Sequence, residues 1–595
     1  LNLVHPGDPN TLYVESQYLG LSRFDLKTRQ RRDLRPGDPQ GAISPRRNWD
    51  AWGPGLPEPE LGNAMAPANW DAPFLVSPHN PRTLYAGTNI LWKSTDGGDS
   101  WASLGDRTTG VNRRELQVLG RRGEETTPSL DDGIPYYPTL TALAESPLQA
   151  GLLYAGTDDG NLQVSRDGGL TWTELKGRLG GLPRNAWMAG IEASRFEAGT
   201  VYVAANNYRN NDFANYLYRS RDAGETWQPI TGDLPPDRVA RTIRQDTRNP
   251  KLLFLGTELG IFLSIDGGDH WVEFKNNLPR VAVNDLVIHP RDNDLVLGTH
   301  GRGIWILDRI AALQELNADV LAAEAHLFSV APAEMIRRDR QMGHMGDMVF
   351  KGQNPALGAL VDYLLREEQA EDAVQLVIAD ASGETVTELE PSRKQGINRV
   401  VWKLRDSDLP EPPEFEERQG GRPPSSPAGP WVVPGLYTAR LTVGGRAWEQ
   451  SFQVEEDPRL DIPIEIRRQW TETLREIAGL YRVARKLALQ VHPVQEQVEK
   501  LPQGSVDEAA AQQLKELDRM QRELFSRVRS LYGEAAGWTG PLTDLQQSQR
   551  AYYQTMQARL EQQVEAFWAE TLPGLNEQLP EDQRIEVGSE KQELQ

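Results

Sequence analysis

The chain has 595 residues, with 85 Asp and Glu against 64 Lys and Arg, and a formal net charge of -21. This length is too great for a single hydrophobic core, and the acidic balance argues against a nucleic-acid partner, which would need clustered Lys and Arg. The absence of cysteine excludes disulfides, thiolate metal sites and a cysteine nucleophile.

The first 310 residues repeat a short strand that ends in small residues or glycine. Its six copies are 12–14, 84–88, 153–157, 201–205, 253–257 and 295–299. Most copies follow a turn rich in Pro, Asp and Asn, which are residue types that end strands. The repetition predicts a mainly β fold that begins with a β-propeller over residues 1–310, with six visible repeats and either six or seven blades.

A second motif, Ser-x-Asp-x-Gly-x-x-Trp, follows four of these strands. Its Asp and Trp pairs are Asp96 and Trp101, Asp167 and Trp172, Asp222 and Trp227, and Asp266 and Trp271. This is the Asp box, a hairpin in which the Asp accepts backbone N–H groups and Gly supplies a positive φ. The Trp is expected to pack between neighbouring sheets. We therefore predict structural roles for these residues, on the face opposite the ligand site.

The opposite face of a propeller carries the loops between blades and the loops between the second and third strands. The ligand-binding residues predicted there are Asp159, Asn206, Tyr208, Arg209, Arg238, His300 and Arg302, with Asn89, Asp131, Asp132, Trp187, Asn207 and Asp237 in the same loops. Asp158 and Glu258 are the catalytic candidates, because a glycosidase needs two carboxylates about 5–9.5 Å apart. Uneven box spacing places insertions at 33–70, 106–137 and 206–215, and such insertions often decorate a binding face.

Several segments carry a family resemblance, namely 70–81, 207–213 and 285–308. They resemble bacterial Asp-box proteins with neuraminidase-type repeats, in the sialidase and sortilin-like superfamily. The resemblance implies an extracellular-type propeller that binds a peptide, protein or glycan without necessarily being catalytic. The alternative that it implies is a glycoside hydrolase of the sialidase or xyloglucanase class, whose cleft an upstream propeller would complete. Relatives are typically longer at the N-terminus, so we expect the sequence to be a piece of a longer, exported protein, although the compartment stays open.

A sialidase would require three Arg for the sugar carboxylate and a Tyr nucleophile. Arg209, Arg238, Arg302 and Tyr208 supply these residue types, but the Arg-Ile-Pro signature of sialidases is absent. We therefore favour solvated loop charges for these Arg residues. In the sequence His300-Gly301-Arg302-Gly303, the glycines allow a tight turn that presents the guanidinium to an anion. The competing interpretation is that His300 and Arg302 bond to loop carbonyls and close the last blade.

The second half changes pattern after residue 310. We predict a connector at 311–350 with a short strand at 326–328, and a fibronectin III-like β-sandwich at 351–458. Apolar stripes at helical spacing predict an antiparallel bundle of three helices at 459–595, separated at Pro493, Pro502 and 537–541. Oligomerisation through this helical tail is a further expectation. No metal site, cofactor or membrane span is predicted.

Overall fold

A computed structural model of the chain describes residues 2–36, 68–111, 117–118, 121–122, 125, 137–336, 352–413, 426–502 and 504–587. The predicted Asp131 and Asp132 lie outside these residues. The chain divides into two compact units, Leu1–Ala318 and Asp319–Gln595, which we call unit 1 and unit 2. Within the described ranges, no helix is both long enough and apolar enough to cross a membrane.

Unit 1 contains six antiparallel sheets in chain order, numbered 1 to 6. Sheet 1 consists of β1 (Asn2–Val4), β2 (Thr11–Ser16), β3 (Gly20–Asp25) and β4 (Arg31–Asp33); sheet 2 of β5 (Phe74–Val76), β6 (Leu84–Gly87), β7 (Ile90–Ser94) and β8 (Ala102–Asp106). A two-stranded ribbon follows, with β9 (Gln117–Val118) and β10 (Arg121–Arg122). Sheet 3 consists of β11 (Leu140–Glu145), β12 (Leu153–Thr157), β13 (Leu162–Ser165) and β14 (Thr173–Glu174).

The remaining sheets of unit 1 repeat the same up-and-down order. Sheet 4 consists of β15 (Trp187–Ala193), β16 (Val201–Asn207), β17 (Asp212–Ser220) and β18 (Gln228–Pro229); sheet 5 of β19 (Ala240–Gln245), β20 (Leu253–Thr257), β21 (Gly260–Ser264) and β22 (Val272–Glu273). Sheet 6 consists of β23 (Val283–Ile288), β24 (Leu295–Thr299) and β25 (Ile304–Leu307). Sheets 2 to 6 pack on one another in succession through their first strands, and sheets 1 and 2 share an apolar cluster. The mainly β propeller fold is confirmed.

The four Ser-x-Asp-x-Gly-x-x-Trp turns share one hydrogen-bond pattern. In the second copy, the Ser165 hydroxyl donates to Asp167 and accepts from the Gly169 N–H, both at 2.8 Å. Asp167 also accepts from the Thr171 N–H at 2.9 Å. Each Trp lies in or against an apolar cluster shared by its own sheet and the preceding one. These contacts stabilise each hairpin and the adjacent interface between two sheets.

The first strands of sheets 3 to 6 share a β-bulge near their start. The register shifts between Leu140 and Ala142, Met188 and Gly190, Ala240 and Thr242, and Val283 and Asp285. A bulge re-aims the side chain of the extra residue. In β19 that residue is Arg241, which contributes to the site described below.

Unit 2 begins with short elements that lead into two packed sheets. The sheets contain β26 (Ala325–Leu327), β28 (Ala359–Leu365) and β31 (Gly396–Trp402), and β27 (Ala333–Glu334), β33 (Arg446–Glu455), β32 (Gly435–Val443), β29 (Val374–Asp380) and β30 (Thr385–Leu389). Their inner faces form one core that includes Tyr363, Trp402 and Phe452. The predicted connector thus supplies two strands, because its apolar residues Ala325, Leu327 and Ala333 complete this core.

Six α-helices are described: α1 (Ala311–Glu315), α2 (Ala318–Ala322), α3 (Ile464–Lys500), α4 (Glu508–Gly537), α5 (Asp544–Ala566) and α6 (Leu572–Gln578). The last two flank a π-helical turn, Phe567–Thr571. The prediction that Pro493 separates two helices is wrong, since α3 continues through it. Val491, Val494 and Val498 are buried on both sides of the proline, and this packing outweighs the lost backbone hydrogen bond.

Candidate functional site

Three sheet-4 side chains and one from sheet 5 stack on one another at one end of unit 1. The Arg209 guanidinium lies over the Trp187 ring, 4.0 Å from its centroid, and 4.6 Å from the centroid of Tyr208. The Arg241 guanidinium lies 4.8 Å from the same Tyr208 ring. We call Trp187, Arg209, Tyr208 and Arg241 the cation–π ladder. Each such contact contributes about 0.5–2 kcal/mol, so the ladder holds its guanidinium groups in fixed positions.

The loop between β16 and β17 presents Tyr208 and Arg209 on a single 3₁₀ turn, Tyr208–Asn210. Asn211 closes the turn with a φ of 58°, in the left-handed region that Asn tolerates. Beside the turn, Asp212 accepts from Asn207 at 2.8 Å and from the Tyr216 hydroxyl at 2.7 Å. Burial opposes ionisation of Asp212, yet these hydrogen bonds prevail and lower its pKa. The turn is therefore a rigid platform.

Arg241 is held in place from two sides. Its guanidinium forms an ion pair with Glu258, which follows β20. The buried Asn206 donates from Nδ2 to the Ala240 carbonyl at 3.1 Å, which ties the end of β16 to the start of β19. Because Asn206 precedes the Tyr208 turn and Ala240 precedes Arg241, this bond sets the spacing between the two halves of the ladder.

Beyond the ladder, charged residues of the first strands β15, β19 and β23 contact one another. Arg244 donates to Asp285 at 2.9 Å and lies 4.0 Å from Glu192. Burial raises the pKa of Glu192, although Arg244 opposes this rise. Burial likewise raises the pKa of Asp71, which precedes sheet 2, while the positive charge of Arg241 opposes this rise.

Asp158 and Asp159, predicted as catalytic and ligand-binding, are both buried. Asp158 accepts the Thr139 N–H and hydroxyl, each at 2.7 Å, and the Asn69 amide at 3.1 Å. Burial raises the pKa of Asp158 to about 7, against these hydrogen bonds. Asp159 accepts from the Thr109 N–H at 2.7 Å and from its hydroxyl. The two carboxylates thereby join chain segments that flank the predicted insertions to sheet 3.

The other predicted residues have mostly backbone contacts. Arg238 donates to the Pro236 carbonyl at 3.3 Å, and its own N–H donates to the Asn215 side chain at 3.1 Å. His300 and Arg302 are exposed in the loop after β24, where the His300 N–H donates to the Ala282 carbonyl at 2.9 Å. Asn89, which is half-buried, donates to Asp106 at 3.3 Å.

Sequence reasoning placed Trp187, Tyr208, Arg209 and Glu258 on one face, and the structure brings them together. It missed Arg241, which lies inside a strand rather than in a loop. Arg241 is the second residue of β19 and lies at the β-bulge that the first strands of neighbouring sheets also carry. This repeated position is the signal that could have found it. Strand β9 also lies against the Tyr208–Asn210 turn, so the insertion after sheet 2 reaches this site.

Comparisons with known proteins agree with this architecture. The Sortilin-Vps10 family model, described as sortilin, neurotensin receptor 3, matches residues 215–312. A xyloglucanase of Paenibacillus sp is 25% identical over 236 residues, covering 36% of this chain and 22% of that protein. An oligoxyloglucan-reducing end-specific xyloglucanase of Emericella nidulans is 25% identical over 275 residues, covering 37% of this chain and 32% of that protein. The match therefore spans about a third or less of these relatives.

Solved structures give weaker likenesses. YCF48 bound to D1 peptide has a TM-score of 0.30 at 13% identity, covering 56% of this chain and 88% of that chain. The GH74 enzyme of Niastella koreensis has a TM-score of 0.29 at 13% identity, covering 75% of this chain and 71% of that chain. The repeated sheets make unit 1 a β-propeller, and the family model and the two xyloglucanase matches show that it is similar to propellers of the sortilin- and sialidase-like, glycosyl hydrolase-like type.

Proposed function

We propose that unit 1 binds a ligand on the face that carries the cation–π ladder, and that it acts as a binding propeller rather than a hydrolase. The observation that carries this proposal is the ladder itself, in which two guanidinium groups and two aromatic rings are stacked by contacts from sheets 4 and 5. A prearranged site of this kind lowers the entropic cost of binding, because its side chains are already ordered.

The chemistry of the ladder suits a peptide, protein or glycan. An arginine carries five N–H donors in a planar fork, a geometry that suits carboxylate and carbonyl groups of a ligand. Trp187 and Tyr208 add apolar surface, and this combination is common where proteins recognise other chains. The net charge of -21 argues against nucleic acid as the ligand.

The alternative is a glycoside hydrolase that uses Asp158 and Glu258. The two matched xyloglucanases favour it, since their names describe enzymes that act on xyloglucan or its oligosaccharides. The contacts of the two carboxyl groups argue against it: Asp158 is 2% exposed and accepts three hydrogen bonds, and Glu258 is engaged by Arg241. A general acid and its partner must reach the substrate directly or through one water.

The test is a binding screen of the full chain against xyloglucan, other polysaccharides and peptide arrays, followed by calorimetric titration of the strongest binder. We expect Arg209→Ala and Tyr208→Ala each to weaken binding by about tenfold or more. Arg166→Ala is the matched control, because Arg166 is a half-exposed ion-paired arginine of an Asp-containing turn. Equal affinities for all four proteins would reject the ladder as the site.

The same samples separate binding from hydrolysis. Release of reducing ends from xyloglucan is measured for wild type and for Asp158→Asn combined with Glu258→Gln. Turnover that the double variant abolishes would favour the hydrolase, whereas binding without turnover supports the present proposal.

We also infer the finer organisation from the same patterns. The four Ser-x-Asp-x-Gly-x-x-Trp turns act as Asp boxes, the two packed sheets of unit 2 form a fibronectin III-like spacer, and helices α3 to α6 form a helical bundle. Self-association through these helices stays a prediction.

A further inference from the structure

A groove in unit 2 lies between the two packed sheets and helix α3. Its volume is about 650 Å³, within the range of about 300–1,000 Å³ that is usual for small-ligand sites. One wall consists of residues 433–437, at the start of β32, and of the turn 380–382 between β29 and β30. The other wall is the face of α3 that carries residues 468, 469, 471, 472 and 475. We call this space the junction groove.

Hydrogen bonds hold both walls of the junction groove in place. In the turn after β29, Asp380 accepts from the Ser382 N–H at 2.9 Å and from the Ser382 hydroxyl at 2.6 Å. On α3, Arg475 donates twice to Asp406, at 2.8 Å and 3.1 Å. The side chains around the groove are therefore ordered before a ligand arrives, which lowers the entropic cost of binding.

Thr471 contributes a hydroxyl group whose hydrogen bonds are not satisfied by the protein. This residue lines the groove and is 1% exposed. Within the part of the chain that the structure describes, its hydroxyl has no hydrogen-bond partner. A buried hydroxyl of this kind destabilises a protein unless another group satisfies it. A polar ligand in the groove would supply that partner, directly or through one bridging water.

The charges that line the groove cancel one another. Two arginines, Arg468 and Arg475, stand beside two carboxylates, Asp380 and Glu472. This balance disfavours a strongly anionic or strongly cationic ligand. The groove instead presents N–H donors and carboxylate acceptors together, and the amide of Gln469 adds one group of each kind. A ligand rich in hydroxyl groups matches this surface, since each hydroxyl both donates and accepts.

The wall at the start of β32 is apolar. Leu436 is 50% exposed, and the half-buried Val433 and Pro434 lie beside it. The Tyr437 hydroxyl donates to the Val433 carbonyl at 2.7 Å and so holds this segment in place. An apolar wall opposite a polar one suits a pyranose ring, which has C–H groups on its faces and hydroxyls at its edge.

A peptide bound by strand addition does not fit this place. Such a peptide pairs with the exposed edge of a sheet. Strand β32 lies between β33 and β29 instead, and Tyr437 pairs with Phe452 on one side and with Asp380 on the other. The backbone at the groove therefore offers no free strand edge along Tyr437–Val443.

We propose that the junction groove binds a neutral oligosaccharide. Arg468, Gln469 and Thr471 contact its hydroxyl groups, and Leu436 packs on the face of one sugar ring. The site lies entirely in unit 2, so the proposal does not depend on the ladder of unit 1. It gives unit 2 a binding role in addition to that of a spacer.

Calorimetric titration of the full chain with cellohexaose, xylohexaose and mannohexaose tests the proposal. We expect at least one of these neutral probes to bind with a Kd below about 1 mM, and Gln469→Ala and Leu436→Asp each to weaken it about tenfold or more. Thr471→Val should weaken binding without lowering stability, because it removes a hydroxyl that has no partner in the described chain. Arg519→Ala, in an exposed ion-paired arginine of α4, is the matched control and should bind as wild type does.

Titration of Tyr208→Ala separates this site from the ladder. Binding that persists in Tyr208→Ala and is lost in the groove variants supports the proposal. Binding that is lost in Tyr208→Ala and kept in the groove variants would overturn it. So would a preference for the acidic trigalacturonic acid, or no binding of any neutral probe up to about 10 mM. Since Leu436 and Gln469 are exposed, these variants are expected to keep the fold, which near-ultraviolet circular dichroism checks.

Discussion

Ionisation of the buried Asp158 should cost the propeller stability, and Asp158→Asn measures that cost. Burial raises the pKa of this carboxyl from 3.8 to about 7. In the unfolded chain it titrates near its ordinary value, so over about pH 4 to pH 7 the folded state binds one more proton than the unfolded state. The stabilisation is therefore complete below the unfolded pKa and is lost as pH rises through the folded pKa.

The size of this effect follows from the shift. A displacement of about three pKa units corresponds to about 4 kcal/mol, since each unit is worth about 1.4 kcal/mol. Asparagine resembles the protonated acid, because it accepts from the Thr139 N–H and donates to the Thr139 hydroxyl. We therefore expect the free energy of unfolding of wild type, relative to Asp158→Asn, to fall by up to about 4 kcal/mol between about pH 4 and pH 8.

Urea unfolding followed by tryptophan fluorescence at each pH measures both proteins. Asp167→Asn is the control, because hydrogen bonds from Thr171, and then from Ser165, lower the pKa of Asp167 to about 2. Its difference from wild type should change by less than about 0.5 kcal/mol over this range, since its folded state is ionised throughout and its unfolded state is largely ionised from about pH 4 upward. A difference for Asp158→Asn that is also constant, to within about 0.5 kcal/mol, would refute the reasoning.

Three further changes should alter stability in urea unfolding. Ser165→Ala removes both the donor to Asp167 and the acceptor for a backbone N–H, and should cost about 1–3 kcal/mol; a neutral result would mean that the turn does not depend on it. Gly256→Ala should cost about 1–3 kcal/mol, because its Cβ meets a carbonyl oxygen of β23, and Gly298→Ala should cost less. Pro493→Ala should raise stability by about 2 kcal/mol by restoring a hydrogen bond inside α3, and no gain would mean that the helix bends to avoid the cost.

The repeats predicted the propeller because each blade encodes its own hairpins. Local chemistry suffices there: a Ser, an Asp and a Gly at fixed spacing close a turn wherever they occur. The same argument predicted the face of the site, since alternate loops of a blade point to opposite ends. The structure brings Tyr208, Arg209, Glu258 and Trp187 together, and their part in ligand binding stays a prediction.

Sequence position could not predict which loop side chains turn inward. Asp158 and Glu258 follow equivalent strands, yet Asp158 is buried by hydrogen bonds from Thr139 and Asn69. Those donors come from segments far from Asp158 in other loops, so no local pattern reveals them. Pro493 shows the same limit in a helix, because tertiary packing there overrides a strong local preference.

The difference between sheets 3 and 4 explains why the ladder lies where it does. In sheet 3, the carboxylates of Asp158 and Asp159 accept hydrogen bonds from chain segments that flank the insertions. These bonds leave no charged side chain of that loop for a ligand. In sheet 4, the loop extends by a 3₁₀ turn, and its own Asp212 satisfies the local hydrogen bonds. Tyr208 and Arg209 on this turn stack with Trp187 and Arg241. The repeat sets the position of each loop. A loop whose own side chains satisfy its hydrogen bonds can present its other side chains to solvent.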